Sequence, residues 1–166
     1  MSQIVLGIDP GNARCGWGVV SVSDEGQLSL LDCGCIETGK DEASGERLAA
    51  VYTGIKAVSA KYSPEQLAIE KLFFNRNITS GIAVAEARGV ILLAAHEAGV
   101  PVFEYTPSEI KETMTGDGKA KKKDIGAAVV LTLGLEKPPT PDDTADAVAI
   151  AITHLFWSSF NGGILQ

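Results

Sequence analysis

Four carboxylates stand in surroundings where a carboxylate is costly. Asp9 closes the apolar run Ile4-Val5-Leu6-Gly7-Ile8, Glu70 closes Leu67-Ala68-Ile69, and Asp143 and Asp146 open a segment that is otherwise almost wholly apolar as far as Trp157. A charge beside a core is expensive unless it is paired, hydrogen-bonded or bound to metal. The neighbours of Asp146 are Ala145, Ala147, Val148 and Ala149, none of which offers a cation. Metal ions are therefore the expected partners, and an all-oxygen ligand set suits Mg²⁺ or Mn²⁺. The chemistry that uses such a cluster is two-metal phosphodiester hydrolysis. One metal lowers the pKa of an attacking water and the other stabilises the leaving oxygen. The two ions sit ~3.5–4 Å apart, so the carboxylates must converge from several elements.

Each acid also has a plainer reading. Asp9, followed by Pro10 and Gly11, can simply start a turn, and Glu70 can mark where a strand reaches solvent. Asp143 can cap a helix by accepting from its orphan N–H groups. Asp146 is harder to explain that way. It lies three residues after Asp143, on the same helical face, in what reads as a packing surface. No serine or cysteine triad is visible. His96 lies inside a predicted helix, and His154, eight residues past Asp146, reads as structural. Cys15, Cys33 and Cys35 are an odd set without zinc spacing and read as buried free thiols.

The 166 residues, 45% of them hydrophobic, fit a single domain spanning 1–166. The first residues lack a basic stretch, and no apolar run reaches the roughly 18 residues of a membrane span. A soluble, cytoplasmic protein without membrane attachment is expected. The net charge of −7 argues mildly against nucleic-acid binding, but its distribution argues the other way. Lys119, Lys121, Lys122 and Lys123 form one dense basic cluster, and Lys71 and Arg76 follow Glu70. Bound metals would also neutralise the clustered acids.

The elements that must position these groups follow from periodicity and turn chemistry. Residues 4–8, 15–22 and 27–38 read as strands of an antiparallel meander. Leu48, Val51, Tyr52, Ile55 and Val58 give helical spacing over 46–62. Residues 66–70 form a short apolar strand, as expected for a buried central one. A polar-aromatic loop over 73–79 leads to a helix over 80–98, ended by Gly99. A strand over 101–105, helices over 108–115 and 121–133, a proline-rich loop and a helix over 143–160 complete the chain. The order βββαβαβααα predicts an α/β fold, with a mixed five-stranded sheet flanked by helices. Asp9 and Glu70 then end neighbouring strands, and the last helix brings its N-terminus to them, where sites on open α/β sheets lie.

In this frame the motifs become familiar. Gly7-Ile8-Asp9-Pro10-Gly11 with Gly16-Trp17-Gly18-Val19, Ala68-Ile69-Glu70-Lys71-Leu72-Phe73-Phe74, Ala87-Arg88-Gly89-Val90, Pro101-Val102-Phe103-Glu104-Tyr105 with Ile110-Lys111, and Asp143-Thr144-Ala145-Asp146 continuing to His154 occur in order. Together they resemble the RuvC family of bacterial Holliday junction endonucleases, over about residues 4–154. The resemblance implies an RNase H-like fold and a homodimer. It also implies Mg²⁺- or Mn²⁺-dependent nicking of four-way junction DNA, with two metals per active site, in recombination and repair. Asp9, Glu70, Asp143 and Asp146 match the family's four catalytic and metal-binding positions. Phe73 matches an aromatic that stacks near the junction centre, with Phe74 beside it. Lys111 and Lys122 match basic positions used in DNA handling and catalysis, and Lys121 or Lys123 takes that place in a shifted register. Partnership with the branch-migration proteins RuvA and RuvB is implied by family alone.

Physical argument supports these roles. An aromatic next to a ligand carboxylate can stack on an unpaired base, worth roughly 1–3 kcal/mol. Arg76 and the lysines at 119 and 121–123 can contact phosphate. A four-way junction has approximate two-fold symmetry, which a C2 dimer matches with two identical sites. The helix over 80–98 is rich in small and apolar residues on more than one face, enough for its own core and a partner. Three other readings compete. Gly-Ile-Asp-Pro-Gly also resembles the first phosphate motif of actin-like ATPases, which need a second comparable domain. The remaining two are a non-cleaving DNA-structure binder and an RNase H-like nuclease acting on RNA.

Overall fold

In the computed structural model of the chain, residues 3–72 and 78–161 are described, with backbone alone at 78–80, 160 and 161. The elements are β1 (Gln3–Asp9), β2 (Arg14–Val22), β3 (Leu28–Glu37), α1 (Ser44–Tyr62), β4 (Gln66–Glu70), α2 (Ile78–Glu97), β5 (Val102–Tyr105), α3 (Pro107–Thr115), α4 (Lys122–Leu133) and α5 (Asp142–Asn161). The strands form one mixed sheet in the order β3-β2-β1-β4-β5. β1, β2 and β3 pair antiparallel, while β4 runs parallel to β1 and β5 parallel to β4.

Alternation along the central strands sends successive side chains to opposite faces. Val5 and Ala68 join α3, α4 and α5 in one core, with Val148, Ile152 and Ile125. Leu6, Ile8, Leu67 and Ile69 join α1 and α2 in the other, with Val51, Ile55 and Ile91. Cover on both faces explains why β1 and β4 read as nearly unbroken apolar runs. Local signals end the helices. α3 begins with a capping box between Thr106 and Glu109 followed by Pro107, and α4 ends at Gly134 in the left-handed region, φ 63°.

The element order agrees with the one read from sequence, and boundaries differ by one or two residues. The loop expected over 73–79 gives way to helix at Ile78. All three cysteines are free thiols, but Cys15 alone is fully buried, because Cys33 and Cys35 lie on the sheet-edge strand β3. Among the described residues, no helix is long and apolar enough to cross a membrane.

Candidate active site

β1 and β4 lie side by side, with Ile8 opposite Ile69. The next residue of each strand is an acid, so Asp9 and Glu70 leave the sheet together at the same end. α5 lies across β1 and β2, and three glycines allow a very close approach. A Cβ on Gly7 would come 2.1 Å from the carbonyl oxygen of Ala147, and one on Gly16 would come 1.9 Å from that of Asp143. A Cβ on Gly18 would strike Val148 Cγ2 at 2.5 Å. The helix backbone thus rests directly on strand backbone, which sets its N-terminal end, with Asp143 and Asp146, beside Asp9.

The acids feel one another. Burial, then the charges of Glu70, Asp146 and Asp143, push the carboxyl of Asp9 up to about 8, against the pull of Lys122. Burial and then Asp146 also raise Glu70, with Lys111 and Lys122 pulling back. Asp146 is raised by burial despite its hydrogen bond to Lys122. This is the electrostatic signature of carboxylates converging in a partly desolvated space. Among the described residues, no three His, Cys, Asp or Glu side chains form a ready-made cation cage. The four carboxylates share a field rather than a closed ligand shell. Their donor chemistry nonetheless fits a hard divalent cation, since every donor is oxygen and a positive ion would relieve the mutual repulsion.

A cleft of about 320 Å³ opens over the cluster, lined by Glu70, Asp146, Lys111 and Lys122 with Ile110 and Ile125 in its wall. Lys122 is the hub. Its Nζ lies 2.9 Å from Asp146 Oδ2 and 4.0 Å from Asp142 Oδ2. Partial burial works against its charge, but the bond to Asp146 and the charges of Asp146, Asp143 and Asp142 prevail and raise its pKa. On the other side, Arg14 Nη1 lies 3.8 Å from Asp143 Oδ2.

The geometry sorts the residues named from sequence. Asp9, Glu70, Asp143 and Asp146 come together, and Lys111 and Lys122 join them. Lys123 lines the adjoining groove, whereas Lys119 and Lys121 are exposed and line neither depression. Phe73, Phe74 and Arg76 lie outside the described residues. The plain reading of Asp143 as a cap does not hold. α5 begins at Asp142, and Thr144 N–H donates to Pro141 O at 2.9 Å, so Asp143 sits inside the first turn. His154 is structural, as read: its ring is 2% exposed, takes the Tyr105 hydroxyl on Nδ1 and meets Gln66 Oε1 through Nε2, each at 2.7 Å. Sequence reasoning missed Arg14, Asp142 and Lys137. Arg14 has a usable signal, because it opens the strand that pairs back on Asp9. Lys137 has none, since only the fold brings its loop to the site.

Comparison with known proteins accords with this geometry. The family model described as Crossover junction endodeoxyribonuclease RuvC matches residues 5–154. A crossover junction endodeoxyribonuclease RuvC of Prochlorococcus marinus is 46% identical over 157 residues, covering 95% of this chain and 99% of that protein. The structure of T. thermophilus RuvC in complex with Holliday junction substrate superposes with a TM-score of 0.90 at 37% identity, covering 96% of both chains. The yeast mitochondrial Holliday junction resolvase Ydc2, with a TM-score of 0.67 at 13% identity over 93% of this chain and 80% of that one, shares the fold. The mixed five-stranded sheet with its flanking helices is the RNase H-like arrangement that these likenesses bear out.

Proposed function

Because the chain belongs to the RuvC family of crossover junction endodeoxyribonucleases, we propose that it resolves Holliday junctions in DNA recombination and repair by metal-dependent phosphodiester hydrolysis. The observation that carries this reading is the convergence of four carboxylates from β1, β4 and α5 within one another's field, two of them, Glu70 and Asp146, lining a cleft rimmed by Lys111 and Lys122. The likeness to a RuvC solved in complex with Holliday junction substrate supports the choice of substrate.

On this reading Asp9, Glu70, Asp143 and Asp146 hold two divalent cations, Mg²⁺ or Mn²⁺. When bound, these supply activation of water and stabilisation of the leaving oxygen. The chain's own residues do the rest. The apolar flanks of the four acids fix their directions, so little reorganisation is needed at reaction. Lys111 and Lys122 present ammonium groups to the scissile phosphate. Phe73 and Phe74 stack on bases at the junction centre, while Arg76, Lys119, Lys121 and Lys123 contact phosphates.

The product is a pair of symmetric nicks with 5′-phosphate ends. Pairing follows from a homodimer through α2, whose outer face leaves Ile82 and Leu93 about half exposed, at 52% and 50%, with Glu86 and Gly89 between them. The chain works as one domain in the cytoplasm, with RuvA and RuvB as branch-migration partners by family likeness. The test is incubation with a synthetic four-way junction and with a linear duplex of the same sequence, in Mg²⁺, Mn²⁺ or EDTA. Cleavage of the junction alone, at two symmetry-related positions and only with metal, is expected. No metal-dependent cleavage, or equal cleavage of the duplex, would overturn the reading.

A further inference from the structure

Beside the acidic cleft lies a groove of about 420 Å³ to which, beyond the shared Lys122 and Asp146, the proposed function gives only the phosphate contact of Lys123. It runs between the first turns of α4 and α5 and the proline-rich connection joining those helices. It shares Lys122 and Asp146 with the cleft, so the two depressions adjoin across that ion pair. Lys123 stands on its α4 side and Lys137 on its loop side, over Pro138, Pro139 and Ala145.

The loop that carries Lys137 is tied down at both ends. Leu135 N–H donates to Val130 O at 3.0 Å at the close of α4, and Thr144 N–H donates to Pro141 O at the start of α5. Pro138 packs over Gly126, where a Cβ would meet it at an ordinary 3.6 Å. Charge points the same way. Lys122 pairs with both acids that line the groove, Asp142 and Asp146. Among the described residues, Lys123 and Lys137 form no ion pair. Two ammonium groups with no ion-pair partner among the described residues thus line one groove beside the acidic cleft.

We propose that this groove carries the backbone of the cleaved strand away from the scissile phosphate on one side, with Lys123 and Lys137 each pairing a phosphate. The inference rests on the junction-nuclease reading. A strand whose phosphate lies over the acids must leave the cleft on both flanks. The adjoining groove gives one flank a path past the Lys122–Asp146 pair, and its lysines can replace the counterions the strand sheds.

The test uses Lys123→Gln, Lys137→Gln and, as a control on the opposite face of the sheet, Lys61→Gln. Affinity for a synthetic four-way junction is measured against salt concentration, with folding checked by thermal melting. Each groove variant should flatten the slope of log K against log salt by about 0.9 per protomer, hence about 1.8 for a dimer on one junction, and weaken binding severalfold, while the control does neither. Junctions with one uncharged methylphosphonate at successive positions beside the scissile phosphate locate the contact. A phosphate on one flank should matter to the unaltered protein and cease to matter in the Lys137 variant. Wild-type slopes in both groove variants, or no coupled phosphate on either flank, would overturn the groove assignment. Failure of the unaltered protein to prefer the junction would instead overturn the functional reading beneath it.

Discussion

The ammonium of Lys122 donates to Asp146 at 2.9 Å and thereby keeps one positive charge inside a group of four acids. Single residues of this kind set how the site responds to its surroundings, and His154 does the same for the core. Its ring is buried against Tyr105, Gln66 and Phe103, and burial depresses its pKa from the ordinary 6.5 to about 4. The folded protein holds it neutral, whereas the unfolded chain protonates it below 6.5. Its contribution is therefore fully present above about pH 6.5 and is lost as pH falls towards 4. A 2.5-unit difference corresponds to about 3 kcal/mol. Urea unfolding at pH 7 and pH 4.5 should show a loss larger by roughly 2–3 kcal/mol in the unaltered protein than in His154→Gln, and equal losses would refute this account. At this scale the sequence was informative about the acids and poor about the bases. An acid closing an apolar run is anomalous wherever it occurs. Lys137 sits in a loop whose neighbours are chosen by the fold, so nothing local marks it out.

The position of α5 is fixed at the level of elements by Gly7, Gly16 and Gly18, which let helix backbone lie on strand backbone. Gly7→Ala would drive a methyl to 2.1 Å from the Ala147 carbonyl, and neither backbone can yield cheaply. Overpacking of this sort costs about 1–3 kcal/mol. The urea midpoint should fall accordingly with little change in slope, while Gly45→Ala, where a Cβ meets nothing within 4 Å, should change stability by less than about 1 kcal/mol. A Gly7→Ala protein as stable as the parent would mean that the helix is not seated by this contact. The elements were legible because strand and helix periods differ so clearly here, as in Gln66–Glu70 against Ser44–Tyr62. The close seating of α5 was not legible. A glycine in a strand signals a near approach without saying what approaches. Similarly, the start of α5 at Asp142 could not be separated from a cap at Asp143, because two acids in a row satisfy either pattern.

Considered as a whole, the molecule has two cores on the two faces of one sheet, and α2 covers its core with one side while presenting Ile82 and Leu93 outward. If that outer face joins two copies, Leu93→Glu should give a monomer by sedimentation and uncouple the paired nicks. A persistent dimer would move the interface elsewhere. The mixed five-stranded sheet and the meeting of Asp9 with Glu70 followed from sequence because the parallel β-α-β step admits few topologies, whereas the order β3-β2-β1-β4-β5 is known from the fold alone. The central claim is that the four carboxylates act in cleavage, while junction recognition is spread over the surrounding basic and aromatic groups. Asp146→Asn tests it most directly, with junction affinity and Mg²⁺-dependent cleavage measured in the same samples. The account predicts affinity within a few-fold of the parent and cleavage reduced about 10³-fold, equivalent to ~4 kcal/mol of barrier. Cleavage at the parental rate with unchanged affinity would contradict it.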